Sequence, residues 1–308
     1  MGQADKVYDA VVSEILAKGV WDKDQDVRTK WADGTPAYTK SIITAQMKFD
    51  NTEVPILTTK KVAWKTAIKE ILTFWKDHEY TKEAFHKQNI HIWDEWLIPH
   101  PTEWQDTIGP SYGFQMGKPC RQVRYTEEIM HLIEKGYLSK NHYIDEYKEY
   151  IFLNQVDYLL WQLKKNPASR RHVTSLWNIY DLDEMALNPC VWNTQWLVKK
   201  NALHLVVGVR SNDLALGNPF NVFQYYVLQR MIAQVTGCEL GTLTFNINDA
   251  HIYERHIEGL TEQLNREDYS VPTLWINPNV KNFYDFTIDD FELIGYEHGE
   301  AINYEVAI

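Results

Sequence analysis

Cys190 follows Asn188 and Pro189 and opens the run VWNTQWLV, which reads as a strand. A thiolate is a good nucleophile, and a guanidinium beside a thiol lowers its pKa, so a cysteine so placed can carry covalent catalysis. The plain alternative is a buried structural cysteine, because free cysteines are among the most buried residues. Arg170 and Arg171 follow Pro167-Ala168-Ser169, and Arg210 with Ser211 ends the run ALHLVVGVR. Arginine pairs phosphate oxygens bidentately and serine adds a hydroxyl donor, so these segments read as an anion clamp or as ordinary solvated charge.

Glu70 interrupts WKTAIKEILTFW, a stretch that is apolar on most sides at helical spacing. A buried carboxylate has a raised pKa, which suits proton transfer near neutral pH; at the edge of the helix it would be unremarkable. Asn221, in LGNPFN, falls where the strongest helical pattern begins. It reads either as an N-cap, which spacing alone prefers, or as an amide matching a base edge with one donor and one acceptor. His251 and Tyr253, two apart in NDAHIYERH, share a face of an extended segment and can hydrogen-bond sugar hydroxyls. A metal on His251, His256 and nearby carboxylates is disfavoured, because the spacing matches no HExxH-type site.

Elements that could position these groups follow from periodicity. Val7, Val11 and Ile15 predict a helix ending at Gly19, and Ile43, Ala45, Met47 and Phe49 predict a strand. Residues 64–75 predict a buried helix. Residues 117–153, charged and Tyr-rich, read as an inserted surface segment within a single domain spanning 1–308. Val156 to Leu163 predict a helix stopped near Pro167. Three strands follow over 172–178, 191–198 and 202–210, with Lys199-Lys200-Asn201 as the hairpin turn. Residues 221–235 are the strongest helix, closed by Gly237. A short strand at TLTFNIN, a helix around HIEGLTEQL and strands near TLWINP and FELIGY complete the chain. Strands and helices mixed without βαβ alternation place the fold in the α+β class.

The 308 residues carry 42 acidic and 31 basic side chains, a net charge of −11, which argues against non-specific nucleic-acid binding. Three cysteines cannot build a disulfide framework and fit a reducing compartment. The start, MGQADKVYDAVVSEIL, lacks a signal-peptide pattern, and no apolar run is long enough for a bilayer. The expectation is a cytoplasmic protein without a membrane segment.

Taken together, NPC at 188–190, RSNDLALGNPFN at 210–221, NDAHIYERH at 248–256 and the terminal EVAI at 305–308 resemble the thymidylate synthases. IWDEW at 92–96, GPSYG at 109–113 and SRR at 169–171 fit the same family, in constant order from Gly34 to Ile308. Val191-Trp192 after the thiol is similar to the Bacillus and Bacillus-phage type. The resemblance implies an α+β fold with a bent mixed sheet, helices on one face, and a homodimer formed sheet to sheet. It implies methylation of dUMP to dTMP with 5,10-methylenetetrahydrofolate as co-substrate and without metal.

Roles are implied residue by residue. Cys190 adds to C6 of uracil, assisted by Arg210. Glu70 and Tyr112 manage protons. Arg210, Ser211 and a partner subunit's Arg170 and Arg171 match the phosphate ligands. His251 and Tyr253 match the deoxyribose contacts, Asn221 the uracil reader, and Gln195 a support of the base region. Trp93 and Asp213 match folate contacts, and Ile308 the tail that closes over folate. Departures are Val191 where a His is usual, Asn248 where Gly is usual, ILTFWKDH after Glu70, and Gly34 where a phosphate-binding Arg is expected, with Lys40 as a candidate substitute. The rival functions are a pyrimidine nucleotide hydroxymethylase, in which water captures the methylene group, and a non-catalytic nucleotide- or RNA-binding relative.

Overall fold

Between Thr44 and Phe49 the chain alternates as a half-buried strand should: Ala45, Met47 and Phe49 point inward, while Thr44, Gln46 and Lys48 face out. Ile43, expected on the inward face, is exposed because Thr44 takes positive φ and breaks the alternation. The computed structural model describes residues 1–99 and 102–308. The first half contains α1 (Gln3–Lys18), β1 (Val20–Trp21), β2 (Thr39–Phe49), α2 (Trp64–Trp75), α3 (Lys82–Lys87), α4 (Gly113–Gly117), β3 (Arg121–Arg124), α5 (Glu127–Glu134), β4 (Tyr143–Ile144) and β5 (Tyr150–Leu153). The second contains α6 (Gln155–Lys165), β6 (His172–Ser175), β7 (Val191–Lys199), β8 (Ala202–Val209), β9 (Asn212–Asp213), α7 (Gly217–Thr236), β10 (Glu239–Tyr253), α8 (Ile257–Leu264), β11 (Thr273–Ile276) and β12 (Phe291–Ile294).

The main sheet runs β1-β2-β10-β8-β7-β6, with β9 also on β10. β10 is parallel to β8 and β9, and the other pairs are antiparallel, so the sheet is mixed and the fold α+β. Lys200 and Asn201 both take positive φ, at 48° and 64°, which makes the two-residue β7–β8 hairpin expected from the sequence. The segment read as a short strand at TLTFNIN is instead the first half of the 15-residue β10, which continues through His251 and Tyr253. It runs long because β2 pairs with it along nearly its whole length on one side, and β8 then β9 on the other.

α1 and α7 pack on the sheet, and α2 packs on α7. α7, with Phe223, is buried nearly all round, and Trp75, Trp196 and Phe245 are fully buried too. Each such side chain contributes roughly 1.5–3 kcal/mol by leaving water. The opposite face of the sheet stays open, with Ile43 80% and Val173 45% exposed beside Gln46, Lys48 and Asn246. α7 closes at Gly237 in the left-handed conformation, as predicted. Its start differs: the helix begins at Gly217, four residues before Asn221, so Asn221 is no N-cap. Pro219 permits this early start, because backbone N–H groups of a first turn have no helical partner.

Residues 121–153 form a separate three-stranded sheet, β3-β5-β4, with α5 and a small core of Ile129, Leu138, Ile151 and Leu153. Buried Asp157 on α6 ties this segment down, accepting from Ser139 N at 2.9 Å, Ser139 Oγ at 2.6 Å and the Tyr284 hydroxyl at 2.6 Å. Among the described residues no helix is long and apolar enough to cross a membrane.

Candidate active site

Cys190 lies immediately before β7, where a bulge between Val191 and Asn193 shifts the register against β8. Bulges re-aim neighbouring side chains, and this one sits directly beside the thiol. Arg210, at the end of β8, grips the same turn. Its Nε donates to Pro189 O at 3.1 Å, its Nη2 to Asn188 O at 2.8 Å, and its backbone N to Cys190 O at 2.9 Å. The sequence led us to expect a lowered thiol pKa. Burial instead raises it, and the Arg210 guanidinium offsets that only in part.

Tyr112 enters from the turn before α4, at φ 33°, and its hydroxyl accepts from Cys190 N at 3.3 Å. Its ring stacks on Phe74 at 4.9 Å and meets Trp93 at 5.2 Å. Burial pushes the Tyr112 hydroxyl well above its ordinary value, and the neighbouring Cys190 thiol adds to the shift.

Glu70 is buried inside α2. Trp93 Nε1 donates to Oε1 at 2.6 Å, and Gln224 Nε2 donates to Oε2. Burial lifts its pKa to about 7 despite both donors. Gln224, a residue the sequence reading missed, is itself buried and also donates to Ala67 O at 3.2 Å. With Nε2 so engaged, its Oε1 accepts from Asn221 Nδ2 at 3.2 Å. Asn221 Oδ1 in turn accepts from Asn212 Nδ2 at 3.3 Å, and Asn212 Oδ1 from Asn218 Nδ2 at 2.7 Å. A relay of amides therefore joins Asn221 to Glu70. Nothing in the sequence singled Gln224 out, because α7 also carries Asn218, Gln229, Arg230 and Gln234 and the carboxylate it meets is 154 residues away.

Ser211 and His251 meet at Asp249, also unforeseen. Ser211 Oγ donates to Asp249 Oδ2 at 3.0 Å, and His251 Nδ1 lies 3.1 Å from the same oxygen. Burial opposes charge on His251, but Asp249 and Asp213 together raise its pKa. Tyr253 packs edge-on to His251, with 5.3 Å between ring centroids. Burial would raise the pKa of Asp213, but its contacts with His256 and His251 hold the carboxyl below its usual value. Its Oδ1 also accepts from Ala215 N at 2.8 Å.

The N-terminal loop corrects one expectation. Lys40 donates to Leu16 O at 2.6 Å and is occupied holding α1 to β2. Arg28, in the N-terminal loop itself, slightly opposes the burial-driven rise of the Tyr253 pKa. Gly34, at φ 80°, is a turn residue with open space around it. Four predicted residues lie apart from this cluster in one chain. Arg170 and Arg171 are exposed and make no ion pair among the described residues. Gln195 donates to Arg170 O at 3.0 Å, so its contact is with the arginine segment. Ile308 is exposed, with its backbone paired to Lys30 in both directions, at 2.7 and 2.9 Å. His86, His91 and Asp94 are the one group of three among the described residues with metal-ligating atoms close together; all three are exposed, and the Asp94 carboxylate already pairs both imidazoles.

A half-buried thiol, a guanidinium beside it, a carboxyl poised near neutral pH and an amide wired to that carboxyl suit addition to an activated ring with proton transfer to it. The family profile described as "Thymidylate synthase" matches residues 6–308. The chain is 55% identical to the thymidylate synthase of Bacillus mojavensis and 54% identical to that of Bacillus phage phi3T, over the full length of each pair. The solved structure of thermostable thymidylate synthase A from Bacillus subtilis superposes with a TM-score of 0.86 at 54% identity, covering both chains completely.

Proposed function

The chain belongs to the thymidylate synthase family and reductively methylates dUMP to dTMP; from that premise we propose how its own residues do so. The observation that carries the reading is the convergence of Cys190, Tyr112 and Arg210 at one turn, with the amide relay ending on Glu70.

Cys190 Sγ adds to C6 of the uracil ring. The C5=C6 π electrons shift to C5 and O4, giving an enolate-like carbon. Covalent addition is needed because C5 of uracil is a poor nucleophile unassisted. The thiol is protonated in the free chain, so addition requires loss of its proton; Arg210 supports the anion that forms. Glu70, at a pKa of about 7, exchanges protons at O4, with Tyr112 as a second group of that network. Asn221 reads N3–H with its acceptor and O4 with its donor.

5,10-Methylenetetrahydrofolate supplies the one-carbon unit and then the hydride. Asp213 fits a folate ring, because a half-buried carboxyl held ionised can accept from ring N–H groups. Trp93 fits as an aromatic wall, and Ile308 as the tail that excludes water. C5 bonds to the methylene carbon, and loss of the C5 proton breaks that carbon's bond to the folate nitrogen. Hydride from the tetrahydrofolate so released reaches the exocyclic methylene. Cys190 is then expelled as the C5=C6 bond reforms, leaving dTMP and dihydrofolate.

Arg210, Ser211 and Arg28 form this subunit's part of the phosphate site, and His251 with Tyr253 holds the sugar hydroxyl. Arg170 and Arg171 complete the clamp of a partner site, with Gln195 setting their segment. Their exposure and the open sheet face carrying Ile43 and Val173 support a sheet-to-sheet homodimer. Residues 117–153 are an insertion within one domain. Three free cysteines suit a reducing, cytoplasmic setting.

The test is direct. Cys190→Ser should bind dUMP yet form no covalent adduct with 5-fluoro-dUMP and the folate. A stable adduct by mass spectrometry in that variant would remove Cys190 from the mechanism.

A further inference from the structure

Arg255 stands directly after the sugar-binding strand β10, in the motif NDAHIYERH, and the chemistry above gives it no task. It nevertheless makes three side-chain hydrogen bonds to two separate segments. Nη1 donates to Glu305 Oε2 at 2.8 Å, and Nη2 donates to Asp33 Oδ2 at 2.6 Å and to Thr35 Oγ1 at 3.0 Å. Its guanidinium lies 4.8 Å from the centroid of the buried Trp31 ring. One planar fork therefore joins the N-terminal loop, through Asp33 and Thr35, to the last residues, through Glu305.

The surrounding bonds pull the same way. Glu305 Oε1 accepts from Ala32 N at 3.3 Å, and Glu305 O lies 2.8 Å from His256 Nε2. Lys30 and Ile308 exchange two backbone hydrogen bonds, and Ala307 packs with Trp31 and Ala37. The final residues thus lie bonded along the 28–37 loop, and Arg255 is the side-chain fastener.

We propose that Arg255 is a positioning residue that latches the C-terminal tail to the 28–37 loop through Glu305 and Asp33, and so sets Ile308 over the folate. The proposal rests on the reading of Ile308 as the closing tail. Single exposed ion pairs contribute little, but here one rigid fork braces two segments otherwise held by two backbone hydrogen bonds, the Ala32–Glu305 bond and the small Trp31–Ala37–Ala307 contact. Its effect should therefore fall on tail position, with little change in overall stability. The two carboxylates lie on different segments, so a lysine can satisfy only one of them well.

The experiment uses the full-length enzyme with Arg255→Ala, Arg255→Lys and Glu305→Gln. Arg255→Ala should raise KM for methylenetetrahydrofolate about three- to tenfold, the scale of a lost charge network, while KM for dUMP stays within about twofold. Arg255→Lys should recover part of the loss, and Glu305→Gln should reproduce most of it. Salt should raise the folate KM of the parent enzyme more than that of Arg255→Ala, because the exposed pairs it screens are gone from the variant. Release of Ile308 by carboxypeptidase, which reads the tether without the reaction, should be faster in both loss variants. Unchanged release and unchanged folate KM in both would overturn the latch. If release quickens but neither those variants nor deletion of Ile308 alters the folate KM, the role given to Ile308 falls, and the proposal with it.

Discussion

Gln224 donates to Glu70 through the same amide that accepts from Asn221, so a base reader and a proton-transfer group are two ends of one hydrogen-bonded chain. The direction of the chain has a physical origin. Ala67 O can only accept, so Gln224 must turn its NH₂ toward it and Glu70, and its oxygen toward Asn221. Asn221 then donates to Gln224 with its NH₂ and accepts from Asn212 with its oxygen, and neither amide can flip alone without facing like groups.

The first prediction follows from the pKa of Glu70, lifted by burial from 4.5 to about 7. The folded state favours the protonated acid. This contribution to stability is complete below about pH 4.5 and is lost as pH rises through about 7, up to roughly 3 kcal/mol in all. Glu70→Gln removes the titration. Denaturant unfolding at fixed protein concentration should show the variant gaining on the parent enzyme across that window. Parallel stability curves would mean that Glu70 is not held near neutrality. The parent's turnover should also titrate near pH 7, and the variant's should lose that limb while falling by about 10²-fold or more.

The second prediction concerns the thiol. Burial outweighs Arg210 and leaves the Cys190 pKa raised, so the free enzyme presents a thiol rather than a thiolate at neutral pH. Alkylation of Cys190 by iodoacetamide should therefore be slow at pH 7 and accelerate beyond pH 9. Arg210→Ala removes the opposing charge and should move this profile to higher pH. An alkylation profile that levels off below pH 8 would contradict the assignment.

How much of this was readable in the residues depends on whether a signal was local. The β7–β8 hairpin was legible because Lys200-Asn201 supplies the left-handed turn residues, and α2 because its pattern is helical throughout. Burial of Glu70 was legible for the same reason. The start of α7 was not, because LGNPF reads as a loop until Asn212 and Asn218 are seen bonded across it. Asp249 and Gln224 were hidden because their partners are 38 and 154 residues away. The motif residues were legible as a set only through their common order along the chain.

The third prediction tests sharing across the dimer. Cys190→Ser chains mixed with Arg170→Glu/Arg171→Glu chains should regain activity from two inactive parents. One hybrid site then holds both a thiol and a complete phosphate clamp. Verified heterodimers that stay inactive would place these exposed arginines outside the partner's site.

A fourth prediction concerns Asp157, which accepts three hydrogen bonds from Ser139 and Tyr284 while buried. Asp157→Asn replaces one acceptor oxygen with a donor that faces donors, at a cost of about 1–3 kcal/mol. Thermal unfolding should come earlier, and hydrogen exchange should quicken in residues 121–153 first. Exchange that rises uniformly across the chain would show that the bond set stabilises the whole protein and does not specifically pin this segment.

The last prediction returns to Asn221. Asn221→Asp keeps the acceptor toward Asn212 but sets an oxygen against Gln224 Oε1, now acceptor against acceptor. Gln224 can relieve this only by turning its NH₂ away from Glu70, so the variant should be less stable by about 1–3 kcal/mol. Because Asn221 lies inside α7 and not at its cap, this loss is not a fraying of the helix start. Toward substrate, an ionised carboxylate repels O4 of uracil but accepts from the 4-amino group of cytosine, and when protonated it can donate to cytosine N3. Turnover of dUMP should collapse, and the ratio of dCMP to dUMP processing should rise by about tenfold or more, the scale of one mispaired buried polar group. Competition between the two nucleotides, read by product chromatography, measures that ratio. A variant that keeps the parent's preference for dUMP would leave Asn221 as a structural link of the relay and place base selection elsewhere.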